Sequence, residues 1–414
     1  MKYAAAVLSA CVFMLMNTNL AMPDELSDLK KQFEVLQQKI EDLEKKQQDQ
    51  AKSVEKIQKQ PSAYEVVTEQ LKKQVNVGGH FKFFLADQSY GEVNSDSQHD
   101  SFAAGINNAW LYLSKNLTDY LQITVAPVIS VEASATPSLG SKITRSNSAD
   151  VNIDIDEAYM TLRLPWQFEV KAGAIYPLFS EEYGTKSWWH EQYHGNDGLL
   201  QLESWRSTGI EIYRNFDFEN FSLPVYFYPF LNGTSRGYNY NSNYTDNNSA
   251  KNVLLHITPE FTAFGSRIRL LGSAGGGRWD DDGENDSYQW AAGAEVKFSG
   301  FSLSGEYMYR WLQDLPLTGG GTKDGEDKGW YIKAKYSLNP QWKFLLKYSD
   351  VDLWATGTNQ LLTDHYQTWC LAVDYNITES STIIPQVEWV NADQQGSDET
   401  LRYWRYTLGW RTTF

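Results

Sequence analysis

Beyond its first 21 residues the chain has no apolar run long enough to cross a membrane as a helix, which takes about 20 residues. Its mean hydropathy is -0.50. A helical membrane protein is therefore excluded, whereas a barrel is not, because alternating strands average out to mildly polar. Cysteine is almost missing, with only Cys11 and Cys370 present. If Cys11 leaves with an export signal, no intramolecular disulfide can form. Positive charge is also in deficit, 36 Lys and Arg against 52 Asp and Glu, for a net charge of -16. That balance argues against a nucleic-acid partner. The residues call for no cofactor. What is plentiful is aromatic side chain, 14% of the sequence, including 15 Trp and 25 Tyr.

Those aromatics are patterned. Trp404, Tyr406, Leu408, Trp410, Thr412 and Phe414 alternate with Arg405, Thr407, Gly409, Arg411 and Thr413. A strict period of two places one set on each face of a β-strand. With no later element to cover it, the aromatic face is expected to meet lipid. Similar alternation recurs along the chain. Tyr288, Trp290, Ala292, Ala294, Val296 and Phe298 form one face of a segment, and Trp342, Phe344, Leu346 and Tyr348 one face of another. Aromatics bracketing an aliphatic middle are the pattern of a lipid-facing band with interfacial girdles.

About sixteen such segments follow Val75, from Val75–Ala86 to Leu401–Phe414, an even number as single-chain bacterial barrels require. Connections alternate between short ones, such as Pro165–Gln167 and Asn339–Pro340, and long ones, such as Pro177–Glu203 and Gln313–Lys328. Short periplasmic turns and long extracellular loops are the expected asymmetry. The fold class expected is all-β, a transmembrane antiparallel barrel of residues 75–414 in the bacterial outer membrane. Parity breaks near Asp156–Glu157, where a bulge is predicted.

The N-terminus reads as export and assembly. Lys2 and the apolar run Ala4–Met16 resemble a signal peptide, residues 1–21, cleaved near Ala21. Leu8-Ser9-Ala10-Cys11 is a weaker, lipoprotein-like alternative. Leu26, Leu29, Phe33, Leu36, Ile40 and Leu43 recur at alternating three- and four-residue spacing. They predict a periplasmic helical coiled coil over residues 22–60. Pro61 ends it, and residues 61–74 link it to the barrel.

A barrel of this width leaves an aqueous interior. The inward face gathers bases on the later strands: Lys297, Arg310, Lys333, Lys335 and Arg405. Acids gather on earlier ones: Asp154, Asp156, Glu169 and Glu211. Opposite charges on facing walls create a transverse field. The loop Pro177–Glu203 is the expected constriction, through Phe179, Glu181, Glu182, Lys186, Trp188, His190, Glu191 and His194. His190-Glu191-Gln192-Tyr193-His194 also matches a zinc-protease pattern formally. It lacks a third ligand at a familiar spacing, with Glu203 and Glu211 the nearest candidates, so no metal site is assigned. The cluster Asp280, Asp281, Asp282, Glu284 and Asp286 reads as a solvated loop tip, with Ca²⁺ or lipopolysaccharide bridging as the alternative.

Three stretches carry a family resemblance. They are Val77-Gly78-Gly79-His80-Phe81-Lys82-Phe83, Ala109-Trp110-Leu111-Tyr112-Leu113, and Gly173 to Glu182 with the terminal Phe414. In these the chain resembles trimeric outer-membrane porins of the phosphate-selective O and P type, and coiled-coil dicarboxylate porins. The resemblance implies a homotrimer among outer-membrane lipids and lipopolysaccharide, passing small hydrophilic solutes or ions without chemistry, anions among them. It also implies recognition of Trp410 and Phe414 by the barrel-assembly machinery. Asn107, Asn108 and Trp110 stand where anion-selective members carry arginines, a departure from that pattern. The competing expectations are a zinc hydrolase built on the His190–His194 segment and a non-conducting structural anchor.

Overall fold

The computed structural model describes residues 75–93, 101–132, 150–181, 205, 207–232, 251–279, 283–317, 319–356, 361–394 and 399–414. The expected signal peptide, coiled coil and linker lie outside these. Seventeen strands follow one another: β1 Val75–Val93, β2 Ser101–Asn116, β3 Leu121–Glu132, β4 Asp150–Arg163, β5 Glu169–Ile175 and β6 Ser207–Phe218. Then come β7 Phe221–Leu231, β8 Asn252–Ile257, β9 Glu260–Ala263, β10 Ser266–Arg278, β11 Asp286–Phe298 and β12 Phe301–Pro316. The series ends with β13 Thr322–Ser337, β14 Trp342–Thr356, β15 Leu361–Thr378, β16 Ser381–Gln394 and β17 Glu399–Thr413.

Apart from β8 and β9, consecutive strands pair antiparallel, and β1 pairs with both β2 and β17, which closes the sheet. Strands β8 and β9 both lie between β7 and β10. They are two halves of one stave, interrupted at Thr258 and Pro259, where proline has no N–H to give a ladder. The barrel thus has sixteen staves, in line with the alternation of the sequence. The bulge is present as well. Ala126 pairs with Glu157 and Pro127 with Ile155, which leaves Asp156 as the extra residue of β4.

The two faces differ as the period of two requires. Trp404, Tyr406, Leu408 and Trp410 of β17 are exposed on the outside, while Tyr403, Arg405 and Thr407 are buried on the inside. Trp290, Val296, Trp342, Leu346, Trp369 and Leu371 continue the outward apolar band.

Several strands, among them β1, β13 and β14, run further toward the long-loop side than the alternation suggests. β13 begins at Thr322, inside the stretch expected as the loop Gln313–Lys328, and β14 runs on to Thr356. At that end β13 carries polar residues on both faces, Glu326 and Lys328 outward and Asp327 inward, so hydrophobic alternation fades while the hydrogen-bond ladder persists. At the other end the turns are short. Asn339 Oδ1 accepts from the N–H groups of Gln341 and Trp342, each at 2.9 Å, and sets the β13–β14 turn.

Closure depends on a close approach. Gly79 and Phe414 exchange two backbone hydrogen bonds of 3.0 Å, and the Phe414 ring lies over Gly79. A Cβ at Gly79 would come 2.6 Å from that ring and into the Trp110 carbonyl oxygen across the sheet. At Gly78 the nearest atom would be 3.4 Å away. Gly79→Ala is therefore expected to lower the yield of folded, heat-modifiable barrel in electrophoresis, whereas Gly78→Ala leaves it near wild type. Equal yields would show that the seam tolerates a methyl group.

Candidate functional site

The chain leaves β5 at Ile175 and turns into the barrel at Pro177. The barrel wall catches this segment at successive points. The N–H of Leu178 donates to Tyr228 Oη of β7 at 3.0 Å. Tyr228 in turn donates to Glu211 of β6 at 2.9 Å, and Lys171 Nζ lies 2.7 Å from the same carboxylate. Ser273 Oγ of β10 donates to the Phe179 carbonyl at 2.6 Å, with His256 Nδ1 of β8 2.7 Å from that hydroxyl. The Glu181 N–H reaches Glu306 of β12 at 3.3 Å. Residues 177–181 thus pass inside the barrel from β5 to the β10–β12 wall.

Apolar packing holds the same segment. Phe179 is fully buried and meets Trp205 edge-on, with ring centroids 6.5 Å apart. Both belong to a buried cluster with Ile175, Tyr228, Leu231 and Leu254. Burial of Phe179 and Trp205 together contributes roughly 2–3 kcal/mol per side chain relative to exposure, which anchors both limbs of the loop.

The Glu181 carboxylate ends in a chain of alternating charge. Arg269 is 2.7 Å from it, Glu295 is 2.9 Å from Arg269, and Lys297 is 3.0 Å from Glu295. Ser302 donates to Glu295 at 2.9 Å, and Tyr331 donates to Glu306 at 3.3 Å. The Lys347 ammonium stands 4.9 Å from the centre of the Tyr331 ring. Glu181, Arg269, Glu295, Glu306, Lys333 and Lys335 line an inward-facing cavity of about 230 Å³. Burial pushes the Glu181 carboxyl above the usual carboxylate range, a shift that Arg269 opposes.

The structure distributes the remaining sequence-selected residues more locally than two facing walls. Arg310 Nε donates to Asp327 on the adjacent strand at 2.8 Å, and the pair is buried. Arg405 is paired with Glu388 at 3.1 Å and with Tyr403 Oη at 2.9 Å. Asp156 accepts from Tyr176 Oη. Glu169 faces Arg163 at 3.6 Å beside a short turn. Asp154 lies in β4 opposite Val128, and its side chain is outside the described residues. Glu182, Lys186, Trp188, His190, Glu191 and His194 also lie outside them, as do Glu203 and the tip Asp280–Asp282. Glu211, considered as a zinc ligand, is engaged by Lys171 and Tyr228. Among the described residues no group of three His, Cys, Asp or Glu could hold a metal ion. At the terminus, Trp410 donates to Ser381 Oγ at 2.7 Å, and Phe414 is exposed.

Several partners escaped the sequence reading. Arg269 and Lys171 sit in plain alternation with Ile268, Leu270, Val170 and Ala172, so parity alone would have turned them inward. Asp327 fell within an assumed loop. Ser273, His256 and Tyr228 carry no charge at neutral pH and left no signal.

A closed sheet of sixteen antiparallel staves, apolar outside and polar inside, defines a transmembrane β-barrel of the outer membrane. Residues 61–395 match the family model of the Gram-negative porins, and the chain belongs to that family, outer-membrane channels for passive diffusion. No curated protein matches the sequence. Solved structures share the fold at low identity. A high-pH structure of OprB from Pseudomonas putida is 11% identical, covering 84% of this chain and 96% of its own, with a TM-score of 0.54. The anion-selective porin of Comamonas acidovorans is 12% identical, covering 82% and 99%, with a TM-score of 0.53. In-vitro folded OmpT of Vibrio cholerae, in a trimer form, is 11% identical over 82% and 99%, with a TM-score of 0.50.

Asp327 also accepts from the Trp354 N–H at 2.8 Å, so it serves two donors. Asp327→Ala removes one acceptor from both the guanidinium and that N–H. The expected cost is roughly 3–5 kcal/mol in denaturant unfolding, with Asp327→Asn losing less because it still serves Trp354. Equal losses in the two variants would mean that the charge, not the acceptor, matters at this position.

Proposed function

We infer that the segment entering the barrel at Pro177 forms the constriction of a water-filled channel for small hydrophilic solutes and ions. The observation that carries this reading is Glu181, held inside the barrel by Arg269 and Glu306 in the cavity that Lys333 and Lys335 also line. A carboxylate set against lysines in a narrow passage imposes a transverse field, and solutes must shed water and orient to pass. Such charges act at an effective dielectric below that of bulk water, so each can bias permeation by about 1 kcal/mol. Glu182, Lys186, Trp188, His190, Glu191 and His194 continue the same loop and are proposed to complete its rim. Lys297, Arg310 and Arg405 belong to the basic lining, and Asp154, Asp156, Glu169 and Glu211 to the acidic one. Pairing of Arg310 with Asp327 and Arg405 with Glu388 dilutes the net field and gives Arg269 a larger share of it. Anions are the permeant class favoured by the cavity lining, where Arg269, Lys297, Lys333 and Lys335 outnumber Glu181, Glu295 and Glu306.

We further infer a homotrimer. The narrow apolar stripe of residues 26–43 supports self-association, and OmpT of Vibrio cholerae, with a similar barrel, has a trimer form. Deleting residues 24–60 is expected to weaken the assembly in light scattering while leaving a heat-modifiable barrel. A full-length chain that is monomeric in mild detergent would count against the trimer.

Reversal potentials in a planar bilayer under a salt gradient test the constriction. Glu181→Gln is expected to shift selectivity toward anions. The double variant Lys333→Gln with Lys335→Gln shifts it toward cations, and both effects shrink at high salt because screening shortens their reach. No conductance from folded protein, or no shift in either variant at low salt, overturns this reading.

The same group makes the channel pH-dependent. Its raised pKa means that Glu181 loses its negative charge at a higher pH than an ordinary carboxyl as acid is added. Anion preference is therefore expected to rise on acidification, beginning above the usual Asp and Glu range, and Glu181→Gln removes that first step. A wild-type profile identical to that of the variant would show that Glu181 does not face the permeation path.

A further inference from the structure

Arg214 of β6 stands on the outward face of the barrel, an unexpected place for a cation. Ile212, Arg214, Phe216 and Phe218 share that face. Phe218 and Phe227, the partner of Ile212 across the ladder, are both exposed there, whereas Glu211 and Tyr213 point inward to Tyr228 and Tyr226. Two rings lie against the guanidinium. Its carbon lies 4.7 Å from the centre of the Phe168 ring and 4.4 Å from that of Phe216. Nε is buried without a hydrogen-bond partner, and the described residues offer the group no carboxylate.

Position defines what can approach. Phe218 ends β6 at the short-turn side, about 13 Å along the strand from Arg214 at ~3.3 Å per residue. Strand tilt shortens that distance along the membrane normal. Trp166, in the neighbouring short turn, is 78% exposed. Arg214 thus lies within reach of the aromatic belt where the hydrocarbon gives way to head groups, and its long side chain can extend toward that boundary. A cation facing lipid is costly in mid-bilayer and nearly free at the interface. Its natural counter-ion there is a lipid phosphate. A guanidinium is planar, and with two rings beside it to limit its movement its terminal N–H groups can bind a phosphate through two parallel hydrogen bonds.

From this geometry we propose that Arg214, Phe168 and Phe216 form a binding site on the outer wall of the barrel for the phosphate of a glycerophospholipid in the periplasmic leaflet. The rings supply cation–π contact and pack the glycerol and upper acyl carbons, and Arg214 takes the charge.

Native mass spectrometry of the protein released from mild detergent tests this. Phosphatidylglycerol is compared with diacylglycerol of the same acyl chains, which lacks the phosphate. Wild type is expected to retain phosphatidylglycerol about tenfold better. Arg214→Gln brings the ratio near one, Arg214→Lys falls between because a point charge cannot bind bidentately, and Phe168→Leu weakens retention with the charge intact. Heat-modifiable migration shows that each variant is folded, and the wild-type comparison stands even if one is not. Equal retention of the two lipids by wild type, or unchanged preference in Arg214→Gln, overturns the site. So does an Arg214→Gln variant that alters the oligomer while binding lipid as wild type does, since Arg214 would then belong to a contact between copies.

Discussion

Everything in this molecule depends on the hydrogen-bond ladder that joins β1 to β17. In hydrocarbon an unpaired N–H or C=O costs several kcal/mol, so a sheet survives there only if it has no edge. The pairs from His80–Thr413 to Val93–Leu401 remove both edges at once. Gly79 admits the terminal residue to that seam, because a side chain there would strike both Phe414 and the neighbouring strand. With closure secured, the period of two along each stave does the rest, sending aromatics and aliphatics to lipid and charges inward.

Closure also creates the problem that the inward loop addresses. A ring of sixteen staves is too wide for strand side chains to meet across it. The segment after β5 occupies part of this interior, and it does so with few atoms committed. Tyr228, Ser273 and Glu306 each hold one backbone group, while Phe179 and Trp205 supply the apolar contact. The tethers are themselves oriented by second partners: Glu211 for Tyr228, His256 for Ser273 and Tyr331 for Glu306. Polar groups linked in this way resist displacement better than isolated ones, because each bond lost would leave a buried atom unsatisfied.

The inner wall shows why a count of charges misleads. Bases on one set of strands and acids on another suggest two opposed plates. In the folded barrel many charges are spent on a neighbour one strand away, as in Arg310 with Asp327, Arg405 with Glu388 and Lys171 with Glu211. Cross-strand neighbours sit about 5 Å apart, far nearer than any residue across the lumen, so local pairing wins. The loop after β5 brings one further acid, Glu181, to a stretch of wall that carries Arg269, Lys333 and Lys335.

The amino-acid order by itself determined the class, the number of staves, the bulge at Asp156 and the facing of the strands with clear alternation. These follow from local periodicity, and periodicity needs no knowledge of distant neighbours. It also marked the loop after Pro177 by its density of acids and aromatics. The end of β13 beyond the lipid band was illegible, because polar residues on both of its faces erase the hydrophobic alternation. Only the tertiary structure decided that Glu181 pairs with Arg269, that Asp327 claims Arg310, and that the Arg214 guanidinium lies over the rings of Phe168 and Phe216. Those choices are set by cross-strand register and by the path of one loop. Both are global properties of a closed sheet, in which a shift of one residue at the seam would send every side chain of a stave to the opposite face.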